Sequence, residues 1–452
     1  MSALPLGVRA LARNAACAPD AEVRKTTGLR ILDLLGCACA GFRIGTWRAL
    51  DCALGAEGAS RVWFRGARRS TADAMRLNTF MSHAAYMEDG SRSTGGHPSC
   101  VVIPTALTVL GSLRDRPAAP VDLVSAVAFG YDTFLRIGER VYPAIVDRGF
   151  QSTAVLAPIA SAATTSRLLG LGEDRIAQAL AIAATLGAGL KAALRASASQ
   201  PLQVAQGCEA GRIAALMAAD GARGHEDILA DGFFPAYAGG ERAASEPKRP
   251  RMLETYVKIH GGCRGNHAPL DAFLALFRQH SLSIRDLRSV VVHVDRYTLA
   301  AEIEHPVKSE QAQFSIAFAI AVAAVHGETS AFAFSARHLA DPLVIGVMSR
   351  IVVEHDAAFD AEYPTRRAAR VTIETNAQKL AFVIEYPVGE PENPVTEAAL
   401  CAKFEELARP VLADDTDRVR DFVLDLERQR SLSPLLDALG RCRSTEAEEI
   451  FN

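Results

Sequence analysis

The chain lacks the features that would place it in several large functional classes. There is no long basic block. Its 49 lysines and arginines nearly balance 52 aspartates and glutamates, for a formal net charge of -3, so nothing invites nucleic acid and no polyanion partner is expected. No apolar run reaches membrane-spanning length, because even Ile316 to Val325 is followed by His326, Gly327 and Glu328. The opening stretch MSALPLGVRALARNAACAPD lacks a basic region, an apolar block and a cleavage signature, which argues against export. The nine cysteines are scattered without paired metal-ligand spacing, and Cys37 and Cys39, two apart, would diverge on a helix. This usage fits a reducing cytoplasm, with neither a disulfide framework nor a structural zinc site expected.

Familiar catalytic signatures are missing too. GLGED after Leu169 lacks the strand, the glycine spacing and the downstream acid of a dinucleotide fingerprint, and no phosphate loop occurs. There is no nucleophile elbow and no His-Glu-x-x-His motif. No cofactor is therefore expected, and no metal. What is present is a chain of 452 residues, 49% hydrophobic and 22% charged, long enough for a large core and two domains of a soluble protein.

Apolar residues recur on three and four spacings in Arg24 to Gly41, Ala72 to Met87, Val102 to Ser112, Val121 to Arg140, Thr153 to Leu169 and Glu173 to Leu190, which predicts helices. Small residues crowd many faces, as in ALAIAATLGAGLKAALRASAS, and permit close helix approach. After about Leu270 the pattern changes. Leu287 to Asp295, Ala369 to Glu374 and Ala381 to Tyr386 read as strands, with Ala312 to Val325 and Pro342 to Val353 as helices between them. VGEPENPVTE, from Val388 to Glu397, reads as a proline-punctuated exit into Ala398 to Ala408 and Thr416 to Leu439, the latter bent or broken near Pro434. The expected fold class is mainly α: a large all-helical domain over 1–268, a smaller inserted α+β domain over 269–395, and a return to the helical domain over 396–452.

Chemistry concentrates in two clusters. In the first, MSHAAYMEDG from Met81 to Gly90 is followed by GGHPS from Gly95 to Ser99. Asp89 and His97 can meet there as orienting carboxylate and general acid or base, with Ser99 as a helix cap or hydroxyl donor. The same letters also suit a solvated helix end, Glu88-Asp89, followed by a capping His97-Pro98-Ser99. The second is KIHGGCRGNHAPLDA, Lys258 to Ala272, at the presumed domain border, where a cleft closing on a small substrate is expected. His267 is the acid-base candidate, and Arg264 or Lys258 suits a carboxylate. Cys263 as a nucleophile paired with His267 would need a helix that Gly265 disfavours, and Asp271 can be an ordinary cap. Arg148, Gln151 and Thr153 near a helix start form a third candidate wall, with a solvated loop as the alternative. Gln200, Gln203 and Gln206 can hold a substrate but cannot titrate. Lys191 and Arg195, one turn apart, can reach an acidic ligand or face solvent. Histidines 83, 97 and 267 could in principle gather a metal, although three scattered histidines are common.

In these segments the chain resembles the MmgE/PrpD family, whose members include 2-methylcitrate dehydratases, cis-aconitate decarboxylases and an iminodisuccinate epimerase. The likeness runs through HAAYMEDG…GGHPS, GYDTFLRIG, RGFQST…LLGLGEDRIAQALAIA, CEAGRIAALMAADG, KIHGGCRGNHAPLDA, AQFSIAFAIAVA and GEPENPVTEAALCAKF, in order and over nearly the whole length. It implies a helical domain built from both chain ends, a homodimer and no organic cofactor. It points to Asp89, His97 and His267 as catalytic; from the clusters above, Ser99, Gln151, Thr153, Gln200, Lys258 and Arg264 are expected around the substrate. Two departures stand out: Gln151 replaces a typical histidine and Gln200 a typical lysine, each losing a titratable group. The Glu88-Asp89 pair and SRSTGG also differ from the family's usual versions. The expected function is a cofactor-independent lyase, dehydratase-like or decarboxylase-like, abstracting a proton alpha to a carboxylate or carbonyl of a small carboxylated substrate. The alternatives are an isomerase, either epimerase or cyclase-like, and a catalytically silent binding or scaffold protein.

Overall fold

A computed structural model describes residues 6–113, 118–195, 199–244, 247 and 249–443; the side chain of Arg195, one of the two basic residues considered above, lies outside that set. The chain is mainly helical. α1 (Ala21–Ile44) starts where the Asp20 carboxylate accepts the Val23 amide at 2.8 Å and stops at Gly45, whose φ of 85° suits a residue without Cβ. α2 (Thr71–Ala84), α3 (Ser99–Ser112), α4 (Pro120–Val141), α5 (Ser152–Leu168), α6 (Glu173–Ala183) and α7 (Ser199–Ala219) build one large hydrophobic core around it.

Small residues set how closely these helices approach. A Cβ placed on Gly211 of α7 would lie 2.1 Å from the Pro158 carbonyl oxygen of α5, so α5 and α7 meet backbone to backbone. α6 ends seven residues before the expected Leu190. Gly187 and Gly189 release the chain, which pairs back on the loop before α5: the Gln151 amide donates to the Gly189 carbonyl at 3.1 Å, and Phe150 bridges Leu190. Tertiary pairing there overrides a helical apolar pattern.

The second core belongs to the α+β part. α8 (His267–Gln279) leads to β1 (Ser289–Val294), then α9 (Ile316–His326), α10 (Pro342–Met348), β2 (Ile351–His355), β3 (Ala369–Glu374) and β4 (Lys379–Ile384). The sheet order is β2-β1-β3-β4: β1 and β2 are parallel with Val290 opposite Ile351, and the other pairs are antiparallel, Val292 facing Val371 and Val371 facing Phe382. Val290, Val292 and Val294 alternate inward with Ala369, Val371 and Ile373, and α8 packs on β3 and β4. β2 corrects the helix expected over Pro342 to Val353. The helix stops at Met348, and the β-branched run Ile351-Val352-Val353 joins the sheet, a distinction that periodicity alone cannot make. Likewise α9 begins only at Ile316, capped by the Ser315 hydroxyl, because Ser309–Ala312 forms its own turn.

α11 (Glu397–Leu412) returns to lie along α1, where the Lys403 ammonium meets the Asp33 carboxylate at 2.6 Å in full burial. The last expected helix is interrupted earlier than Pro434. α12 (Asp415–Leu424) ends before a 3-10 turn at Leu426–Arg428, and Pro434 sits in the first turn of α13 (Ser433–Leu439), where its missing N–H costs nothing. Among the described residues no helix is long and apolar enough to cross a membrane.

Candidate active site

α2 positions the first cluster by ending early. The helix stops at Ala84, and Tyr86 adopts a left-handed backbone with φ 52°, costly for a residue bearing Cβ. This turn drives Glu88 and Asp89 inward: both are 0% exposed, the opposite of a solvated helix end. Gly90 then pairs with Tyr256 through two backbone hydrogen bonds of 3.0 and 2.8 Å, which ties this loop to the segment carrying Lys258. Lys403 clamps the same junction, donating to the Met87 and Lys258 carbonyls at 2.8 and 2.7 Å.

Asp89 and His97 meet, but through the Asp89 backbone. The His97 Nδ1–H donates to the Asp89 carbonyl at 2.6 Å, which leaves Nε2 as the lone-pair nitrogen. The Asp89 carboxylate points elsewhere, accepting from the Ser99 amide at 3.1 Å and the Tyr131 hydroxyl at 2.9 Å, with Arg30 Nε at 3.5 Å. Burial raises its pKa, against the pull of Arg30. Thr153 Oγ1 accepts the His97 amide at 3.1 Å, and the Gln151 side chain caps α5 by accepting the Ala154 amide. Asp89, Ser99, Gln151 and Thr153 are thus brought around His97 as its support and do not line the cavity that His97 faces.

That cavity, of about 380 Å³, lies between the helical and α+β parts. His97, Tyr86, Lys258, Cys263 and Arg264 line it, as do Tyr363 and Arg367 from the segment before β3. Burial and the neighbouring Lys258 cation push the His97 pKa down to about 3, although Glu88 pulls the other way, so the imidazole is neutral with Nε2 unprotonated. The Lys258 ammonium is 0% exposed, donates to the Tyr86 and Gly262 carbonyls at 2.8 and 3.2 Å, and sits 4.2 Å from the centre of the Tyr86 ring. Burial lowers its pKa, countered by Glu88. The Arg264 guanidinium binds Glu390 at 2.7 and 3.1 Å and stacks 4.4 Å over Tyr256.

His267, at the start of α8, stands behind Arg264. Its Nδ1 must accept, because an arginine only donates and Arg264 Nη1 lies 3.0 Å away; the proton therefore sits on Nε2, which is buried without a partner among the described residues. Burial and Arg264 hold its pKa well below the usual range. His260, 5.5 Å away ring to ring, is anchored by Asp271 at 2.9 Å. Gln200 lies in a side chamber of about 40 Å³ behind Tyr86, with its amide 3.1 Å from His83 Nε2. His83 Nδ1 contacts Glu88 at 2.6 Å, and although burial would raise the Glu88 pKa, His83, His97 and Lys258 lower it to about 2.

Sequence reasoning considered His83 only as a metal ligand and gave no role to Tyr86, Glu390 or Arg367. His83, Tyr86 and Glu88 stood in the first quoted motif and Glu390 in the segment GEPENPVTEAALCAKF, whereas Arg367 carries no local signal and reaches the cavity only through the fold. As to metals, His83, Glu88 and Cys100 place ligand atoms within 4.8 Å of one another. Yet burial pushes the Cys100 thiol far up, it donates to the His97 carbonyl at 3.2 Å, and His83 Nδ1 already serves Glu88. This donor set fits a hydrogen-bond network better than an ion, and neither His97 nor His267 joins it.

Comparison with known proteins accords with this architecture. Residues 11–246 match the MmgE/PrpD N-terminal domain and residues 260–428 the MmgE/PrpD C-terminal domain. A cis-aconitate decarboxylase of Aspergillus terreus is 25% identical over 443 residues, covering 91% of this chain and 90% of the relative. The cis-aconitate decarboxylase-like protein oryM of Aspergillus oryzae is 25% identical over 391 residues, 80% of each chain. The mouse cis-aconitate decarboxylase is 23% identical over 279 residues, covering 57% of this chain and 56% of its own.

Proposed function

This chain belongs to the MmgE/PrpD family, and from that premise we propose that it is a cofactor-independent lyase in which His97 Nε2 removes a proton alpha to a carboxylate of a small acid. One observation carries the reading: the bond from His97 Nδ1 to the Asp89 carbonyl fixes the tautomer that presents a lone pair to the cavity, beside a buried cation with a donor to spare. Lys258 spends two of its three N–H donors on carbonyls, leaving one for a substrate carboxylate and for the charge that develops as the proton departs. That carboxylate offsets the cation which depresses His97, so binding raises the basicity of the imidazole when it is needed.

In this reading Asp89 is a positioning residue acting through its backbone, and His267 sets the pose of Arg264. Ser99, Thr153 and Gln151 hold the His97 loop, and Gln200 steadies His83. Burial keeps the Tyr86 phenol protonated, so it can donate to a departing or developing anion. With Gln151 capping a helix and Gln200 held on His83, neither supplies an acid for hydroxide departure, which favours loss of carbon dioxide over loss of water. In an unsaturated acid the proton taken by His97 is returned at the far end of the double bond, which shifts it; the carboxylate then leaves as carbon dioxide with its bonding pair held in the allylic anion beside Lys258, and a solvent proton delivered through the imidazole closes that carbon. The names of the relatives point the same way.

A homodimer and a cytoplasmic setting complete the proposal. The α7 face bearing Ile213, Leu216 and Met217, each more than 40% exposed, supports the first, and nine unpaired cysteines support the second. Light scattering on the purified chain tests the dimer. Product analysis by NMR in heavy water, with a panel of di- and tricarboxylates including cis-aconitate, tests the chemistry. The expected result is a product that has lost carbon dioxide, carries solvent deuterium in its place and is not formed by His97→Asn. Deuterium returning to unconverted substrate without elimination would assign the isomerase reading instead, and turnover unchanged in His97→Asn would overturn the role of His97.

A further inference from the structure

Among the described residues three arginines line the cavity, and two of them are matched by acids. Arg92 is held by Glu392 at 2.5 Å and Arg264 by Glu390 at 2.7 Å. The third, Arg367, meets no carboxylate within ion-pair distance among the described residues. Its neighbours sharpen the contrast: Arg366 pairs with Glu362 and with Glu385 at 3.1 Å, and Arg370 with Asp356 at 2.7 Å, so within RRAAR only the cavity-facing arginine goes without. Arg367 donates to the Tyr363 hydroxyl at 2.8 Å, and its guanidinium lies 5.0 Å from the centre of that ring. Tyr363 in turn meets the hydroxyl of Tyr142, from the helical part, at 3.1 Å. The phenol pair holds Arg367 in place, and neither phenol neutralises it.

We propose that Arg367 determines substrate specificity by binding a second carboxylate, remote from the reacting one, so that the site selects acids with at least two carboxylates over monoacids. The inference rests on the reading above for the reacting end, where Lys258 beside His97 takes the first carboxylate. A guanidinium keeps its charge at every working pH and offers a planar fork matched to a carboxylate. Half-buried, with a phenol oxygen as its only hydrogen-bonded partner among the described residues, it has unused donors at the cavity wall.

The test uses the whole chain with succinate, glutarate and adipate, each against the monoacid of equal length: butyrate, pentanoate and hexanoate. Calorimetry should find at least one diacid bound about 10- to 100-fold tighter than its monoacid. In Arg367→Gln that ratio should collapse to within about threefold while monoacid affinity is retained; Arg367→Lys should keep part of it. Lys258→Met should weaken monoacids and diacids alike, which separates a failure at the reacting end from a failure here. A wild-type chain without diacid preference, or a ratio unchanged in Arg367→Gln, overturns the assignment. Should Arg367→Gln not fold, Arg367→Lys decides: a reduced ratio supports the assignment and an unchanged one refutes it.

Discussion

Replacing His97 by asparagine should remove a specific acid sensitivity of the fold. In the native chain the His97 pKa lies at about 3, because its ring is buried beside Lys258, whereas an unfolded chain returns it to about 6.5. Above pH 6.5 both states are neutral and the group has no effect. As pH falls below 6.5 the unfolded chain gains a proton that the folded one refuses, so stability is lost at up to about 1.4 kcal/mol per pH unit, and the loss levels off only below about pH 3. Between pH 6.5 and 5.0 this amounts to about 2 kcal/mol, and over the full window to roughly 5 kcal/mol. Asparagine keeps an N–H for the Asp89 carbonyl but has no titrating nitrogen. Glu88, lowered to about 2, begins to destabilise the fold only below the ordinary carboxylate range, so measurements from pH 7.5 to 5.0 isolate the imidazole. The other histidines are present in both proteins, so the difference between the two curves reports the side chain at position 97. Trp47 and Trp63 are buried in the helical core, so urea unfolding followed by tryptophan fluorescence reports the part of the molecule that holds His97. The wild type should lose about 2 kcal/mol more than His97→Asn over this range. Equal pH dependence in the two proteins would refute the neutral, buried imidazole on which the proposed base depends.

Other perturbations separate support from chemistry. Asp89→Asn leaves the Arg30 guanidinium without its buried counter-charge and should cost on the order of 3 kcal/mol by denaturant titration; full stability with abolished turnover would instead give the carboxylate a chemical role. Lys258→Met strands the Tyr86 and Gly262 carbonyls, at about 1–3 kcal/mol each, and removes the cation that holds His97 down. The loss of stability on going from pH 5.0 to 3.0 should then be smaller than in the wild type, because a higher native pKa ends the loss sooner, and an unchanged loss would count against the coupling. Gly211→Ala drives a methyl to 2.1 Å from the Pro158 oxygen and should destabilise by about 1–3 kcal/mol or more, read as a lowered Tm, with the helices forced apart.

Much of the fold follows from local pattern. The helices from α1 to α5 fall within a few residues of their apolar periodicity, and β3 matches its alternation. The exceptions share one cause. Residues 184–190 and the run Ile351-Val352-Val353 are short or glycine-bearing apolar stretches, for which helix and strand are close in free energy, and partners distant in the chain tip the balance. For the site, the motif around His97 and the cluster around Lys258 were visible as unusual concentrations of polar groups in an alanine-rich chain. Their geometry was not: from letters alone, Glu88 and Asp89 could equally have ended a helix in water.

By itself the sequence determined a mainly helical chain with a late α+β insertion, the absence of cofactor fingerprints, and which residues carry imidazole, carboxylate and ammonium groups. These follow from composition, periodicity and chemical identity, all properties of single residues and near neighbours. Only the tertiary structure decided that Asp89 serves His97 through its carbonyl, that Arg264 fixes the His267 tautomer, and that Arg367 faces the cavity with no acid paired to it among the described residues. The physical reason is that burial and hydrogen-bond direction depend on which groups meet in space. Arg367 lies 270 positions beyond His97 in the chain, and no local rule links two residues whose common property is one cavity of about 380 Å³ between two cores.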